Sequence, residues 1–171
     1  EARLVSSGET ASEAEIRAML LVEGALARVQ GRLGLIPPDA AAFIDRASQE
    51  VLIDPASLAA ETARNGVPVP GLLAAFRGAA GAPGFLQYLH WGATSQDIMD
   101  TALALRLRPM LALWQERLDG ILARLAALAQ AHADLPMTAR TFGQAATATS
   151  FGAVVASWGW PVLDARDRMA P

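Results

Sequence analysis

Residues 98–131 read IMDTALALRLRPMLALWQERLDGILARLAALAQA, and here Leu107, Leu111, Trp114, Leu118, Ile121, Leu125 and Leu128, with His132 just beyond, recur at alternating intervals of four and three residues. That spacing is a heptad seam, the mark of a helix that packs lengthwise against other long helices. At 1.5 Å per residue it is roughly 50 Å long, more than a small domain is wide. The other candidate for a long helix, residues 147–169, cannot cover both the seam and the flanking Leu103, Leu113 and Leu122. The seam therefore predicts completion by other subunits, in a chain that is the N-terminal portion of a longer protein. Pro109 removes one helical hydrogen bond and crowds the preceding turn, so a bend or a join between two helices is expected there.

Upstream the pattern is of shorter helices. Ser12-Glu13-Ala14-Glu15 has capping-box spacing, and Ile16, Met19, Leu20, Glu23, Leu26 and Val29 follow at helical intervals until Gly31 and Gly34; only Glu23 interrupts this apolar stripe. Pro37-Pro38-Asp39 starts a second helix running to about Ser48, Asp54-Pro55 caps a third, and residues 66–70 separate it from a fourth. Residues 81–84 form a turn leading into a polar segment. Ala and Leu dominate, and β-branched residues nowhere alternate for long, so the fold class is all-α: a small helical domain over 1–96, then the start of a helical bundle over 97–171.

Composition excludes several chemistries. All 14 basic residues are Arg, which removes the lysine of a Schiff base or a phosphate-binding loop; there is no Cys, and the two His are too few for most His-based metal sites. A net charge of −3 without a basic cluster argues against nucleic acid as the main partner. No uncharged apolar run approaches the length of a membrane span, and residues 1–10 lack the basic flank and apolar run of a secretory signal. A soluble cytoplasmic protein with a small-molecule ligand is expected.

Two polar clusters could carry chemistry. The first is His90-Trp91-Gly92-Ala93-Thr94-Ser95-Gln96-Asp97. Thr94 and Asp97 have helix-start spacing, which puts free backbone N–H groups and two hydroxyls where a carboxylate binds well, with His90 able to orient or protonate it. The plainer alternative is an ordinary N-cap beside a structural histidine. The second cluster spans residues 136–152, a polar turn between the long helical segments, where Arg140 offers a bidentate cation, Thr141 a hydroxyl and Gln144 an amide. Its alternative is a solvated interhelical loop with Thr147 or Thr149 as a cap. His132 continues the seam as a packed or interface residue, and Phe151, Trp158 and Trp160 read as core or interface anchors.

These clusters, in this order and separated by such a helix, resemble the fumarase/aspartase superfamily, whose members carry segments like His-Trp-Gly-Ala-Thr-Ser-Gln-Asp and then Arg-Thr-x-x-Gln. The runs MLLVEGALARVQGRLGLIP (19–37) and HWGATSQDIMDTALALRLRP (90–109) look most like its bacterial cycloisomerase branch; adenylosuccinate lyase has a similar first segment. The resemblance implies a homotetramer around a central helical bundle, with each active site assembled from three subunits. It also implies interconversion of 3-carboxy-cis,cis-muconate and carboxymuconolactone in the catabolism of aromatic compounds, on a small polycarboxylate, with no metal and no organic cofactor. Carried over by position, His90 is catalytic, and Thr94, Ser95, Arg140, Thr141 and Gln144 bind substrate. Two positions depart from the pattern: Phe142 stands where the lyases have His, and Ala145 where the cycloisomerases commonly have it. The superfamily's Ser-rich loop that supplies the catalytic base is expected beyond residue 171. The other readings are an adenylosuccinate- or argininosuccinate-type lyase releasing fumarate, and a non-catalytic helical assembly.

Overall fold

A computed structural model describes residues 11–169 of the chain. They divide into two compact units that meet in sequence between Arg108 and Pro109. Helix is the dominant element, as the composition predicts. Among the described residues no helix is long and apolar enough to cross a membrane.

The first unit contains α1 (Ala11–Arg32), α2 (Pro38–Glu50), a 3₁₀ turn (Pro55–Leu58), α3 (Ala59–Asn65), α4 (Val69–Ala80), α5 (Pro83–Leu86) and the first part of α6 (Ser95–Ala131). The capping role read for Ser12 rests on a side chain outside those described. On α1 the buried stripe runs Ile16, Leu20, Glu23, Ala27, Gln30, while Val29 is exposed and Leu26 half-exposed. A 3.6-residue repeat drifts away from the apolar choices at 26 and 29 onto a small and a polar residue. Gly31 is not the end of α1, as expected, but a packing position. A Cβ there would lie 2.4 Å from the Ala41 Cβ, and one at Gly24 would lie 2.1 Å from the Ser48 Oγ, so these glycines let α1 and α2 approach closely. Gly34, at φ 70°, ends the helix: its N–H reaches the Gly31 carbonyl and the Leu35 N–H the Gln30 carbonyl, the paired pattern of a Schellman stop. Asp54 caps the 3₁₀ turn as expected, accepting from the Ala56 N–H at 2.9 Å. Met19, Leu20, Ile44, Leu72, Phe76, Leu86 and Ile98 close the core.

In the second unit α6 continues through Pro109 as one helix, so the join between two helices does not occur. Pro109 is exposed, and water can take the carbonyl it frees. After α6 comes a two-stranded antiparallel hairpin, β1 (Pro136–Thr141) and β2 (Gln144–Ser150), then α7 (Phe151–Arg168). The polar turn expected over 136–152 is therefore mostly strand. Its Thr-rich flanks suit extended backbone, and Phe142-Gly143, at φ 47° and 79°, form the two-residue left-handed turn that joins twisted strands. The register slips once, where Ala139 opposes both Ala146 and Thr147. The cap of α7 is Ser150, whose Oγ accepts from the Ala153 N–H at 3.1 Å, in place of Thr147 or Thr149, both of which lie in β2. Helices α6 and α7 touch closely at Gly152, where a Cβ would lie 2.4 Å from the Ala129 carbonyl oxygen. His132 meets Phe151 edge-on at 5.5 Å, a packed histidine as read.

Candidate functional site

The first cluster sits on the connection into α6 and is anchored to α1 at two points. Glu23 and Gln30, seven residues apart, lie on one face of that helix. The Glu23 Oε1 is 2.6 Å from the His90 Nδ1, and the Gln30 Nε2 donates to the Trp91 carbonyl at 2.6 Å. His90 holds φ 65° and Gly92 φ 68°, so the chain reverses tightly on both sides of Trp91. A left-handed histidine costs about 1–2 kcal/mol, an expense the two anchors offset. The Glu23 side chain is 1% exposed and that of His90 17%. Burial pushes the Glu23 carboxyl above its ordinary range; the hydrogen bond and charge of His90 and the charge of Arg77 oppose this only in part.

Thr94 precedes the first residue of α6, and the Asp97 carboxylate accepts its N–H at 2.9 Å, the reciprocal half of a capping box. Among the described residues neither the Thr94 nor the Ser95 hydroxyl has a hydrogen-bond partner; Thr94 is exposed and Ser95 half-exposed. The first-turn amides of α6 have no acceptor within the helix. His90, two hydroxyls and these amides thus share one short stretch where negative charge is favoured.

The second cluster belongs to the second unit. Thr141 and Gln144 are register partners that flank the Phe142-Gly143 turn, and the Arg140 Nη1 donates to the Gly143 carbonyl at 3.2 Å. All three are exposed, and Phe142 stands fully in solvent at the tip. The hairpin groups Arg140, Thr141 and Gln144 at one end, as His90, Thr94 and Ser95 are grouped in the first unit. Sequence reasoning missed Glu23 and Gln30 as parts of the site. The signal was present in Glu23, the one charge in the α1 stripe; Gln30 carried none.

A family model described as a lyase matches residues 7–170. The chain is 39% identical over 157 residues to a nitrosuccinate lyase of Streptomyces davaonensis, covering 91% of this chain and 33% of that one. It is 41% identical over 139 residues to a 3-carboxy-cis,cis-muconate cycloisomerase of Pseudomonas aeruginosa, covering 80% and 30%. The crystal structure of a 3-carboxy-cis,cis-muconate lactonizing enzyme from Pseudomonas putida superposes with a TM-score of 0.86 at 35% identity, over 93% of this chain and 36% of the other. The chain thus spans about a third of the length of the relatives it matches.

Proposed function

This chain belongs to the fumarase/aspartase lyase family, and we propose that it supplies part of the active site of a cycloisomerase. The reaction interconverts 3-carboxy-cis,cis-muconate and carboxymuconolactone in aromatic-compound catabolism, without metal or organic cofactor. The observation that carries this reading is a histidine held from behind through Nδ1, four and five residues before the unpartnered hydroxyls of Thr94 and Ser95. A tricarboxylate calls for several such donors. Thr94, Ser95 and the first amides of α6 of one subunit bind one carboxylate; Arg140 of a second subunit takes another in its guanidinium fork, with that subunit's Thr141 and Gln144 adding a hydroxyl and an amide. In the lactonising direction a substrate carboxylate oxygen bonds to an alkene carbon and the adjacent carbon gains a proton; the reverse removes both. His90 exchanges protons with the bound substrate through Nε2.

The assembly is part of the proposal. On α6 Trp114, Ile121 and Leu128, seven residues apart, remain exposed, as do Trp158 and Trp160 on α7. Their burial in a homotetramer, with the bundle domain starting at residue 97 after a helical domain over 1–96, places segments of three subunits around each site.

The test is spectrophotometric: the full-length protein is expected to consume the chromophore of 3-carboxy-cis,cis-muconate. The 39% identity to a nitrosuccinate lyase over 91% of the chain favours a second reading, elimination from a succinyl substrate; fumarate-type product with no loss of the muconate chromophore would establish it. Ser95→Ala is expected to weaken polycarboxylate binding by roughly 1–2 kcal/mol with little change in Tm. A lowered Tm with unchanged affinity, read by calorimetry, would reduce Ser95 to a helix-start residue.

A further inference from the structure

Glu23 is the only charged side chain buried among the described residues, and it faces the core of the first unit, where a leucine would serve packing better. Its Oε1 contacts the His90 Nδ1, while its Oε2 is buried with no hydrogen-bond partner. The groups that face it are His90, from the connection into α6, and Arg77, from α4, which acts through its charge. The backbone next to the ring is fixed independently by the Gln30 bond to the Trp91 carbonyl. Beyond the backbone of His90 itself, the one side-chain atom that the carboxylate engages by hydrogen bond is therefore the His90 Nδ1.

We propose that Glu23 is a positioning residue for His90: by occupying Nδ1 it confines the exchangeable proton of the pair to Nε2, the only ring nitrogen left to meet a ligand. The inference rests on the assignment of His90 to substrate above. The proton balance is simple. In the base form Glu23 is a carboxylate accepting from Nδ1–H, and Nε2 is a lone pair. In the acid form the added proton is on Nε2. Wherever the inner proton then lies between Nδ1 and Oε1, the pair as a whole carries no net charge. The pair so behaves as one acid whose working proton has a fixed address, an arrangement in which a carboxylate orients the imidazole without itself meeting substrate.

The experiment is nitrogen NMR of the full-length protein labelled in histidine, with the His90 signals assigned by their loss in His90→Asn. In the wild type the neutral ring is expected to carry its proton on Nδ1; finding it on Nε2 overturns the proposal without any variant. In Glu23→Gln, whose amide can donate to Nδ1, the Nε2–H form is expected to become the major one, and kcat on 3-carboxy-cis,cis-muconate to fall about tenfold to a hundredfold with KM little changed. Glu23→Asp, which keeps the carboxylate, is expected to retain the Nδ1–H form and recover part of kcat. An unchanged tautomer in Glu23→Gln, or a changed tautomer with kcat intact, overturns the inference. If His90→Asn keeps full turnover, it is the assignment of His90 to substrate that fails, and the tautomer measurement still decides whether Glu23 sets the ring.

Discussion

In the first unit Met19, Leu20, Ile44, Leu72, Phe76 and Leu86 are each under 2% exposed; in the second, Trp114, Ile121, Leu128, Trp158 and Trp160 lie between 38% and 74%. Both units are rich in large apolar side chains, and the difference lies in geometry. Short helices meeting at angles enclose a core from several sides, whereas α6 and α7, two long helices of one chain, can cover only one stripe of each other. The covered stripe includes Leu118 and Leu125, half-buried, while the heptad partners Trp114, Ile121 and Leu128 face away. The first unit encloses its apolar side chains, and the second leaves an apolar stripe uncovered.

The comparison can be broken most directly by truncating a large side chain in each unit. Phe76→Ala is expected to cost about 3–5 kcal/mol in urea unfolding, because the cavity is closed on all sides. Trp114→Ala is expected to leave dilute-chain stability almost unchanged while reducing self-association in analytical ultracentrifugation. Equal effects on unfolding would show that the second unit is closed too.

Helical glycines sharpen the same contrast through opposite signs. Gly31→Ala drives a methyl to 2.4 Å from the Ala41 Cβ, and overpacking of this kind costs about 1–3 kcal/mol. Gly120 on α6 has nothing within 4 Å of an added Cβ, so Gly120→Ala is expected to stabilise by up to about 1 kcal/mol through helix propensity. Thermal denaturation of both variants decides.

A smaller effect separates the units by pH. Burial holds the Glu23 carboxyl above its ordinary value in the folded state. Its stabilising proton is therefore fully present below the unfolded carboxylate range and is lost as pH rises through the raised folded value. Against Glu23→Gln, the wild type is expected to lose relative stability across that window, by at most about 1.4 kcal/mol per pH unit for one proton. A Tm difference that stays flat from pH 4 upward would contradict the burial of this charge.

The smallest effect concerns the hairpin tip. Phe142, fully exposed at φ 47°, has a conformation that glycine adopts without penalty. Phe142→Gly is expected to stabilise the second unit by about 1 kcal/mol. A loss of stability in calorimetry would mean that the ring is covered in the assembled protein.

Much of this molecule is legible residue by residue. The long helix follows from its apolar interval, the starts at Pro38 and Asp54 from local cap chemistry, and the helix start at Thr94 from the Asp97 three residues on, because each depends on backbone geometry within a few residues. The hairpin at 136–150 is less legible: the Thr-rich runs around Phe142-Gly143 carry only a modest strand signal, since most of these residues are small and none alternates with a strongly apolar one. What the linear order of residues could not supply is the meeting of Glu23 with His90, 67 positions apart, and of Gln30 with the Trp91 carbonyl, 61 apart. A lone carboxylate in an apolar stripe announces that it needs a partner. Only the packing of α1 beneath the connection into α6 decides that the partner is a histidine, because the cost of burying a charge is settled by whatever the fold brings within hydrogen-bond reach.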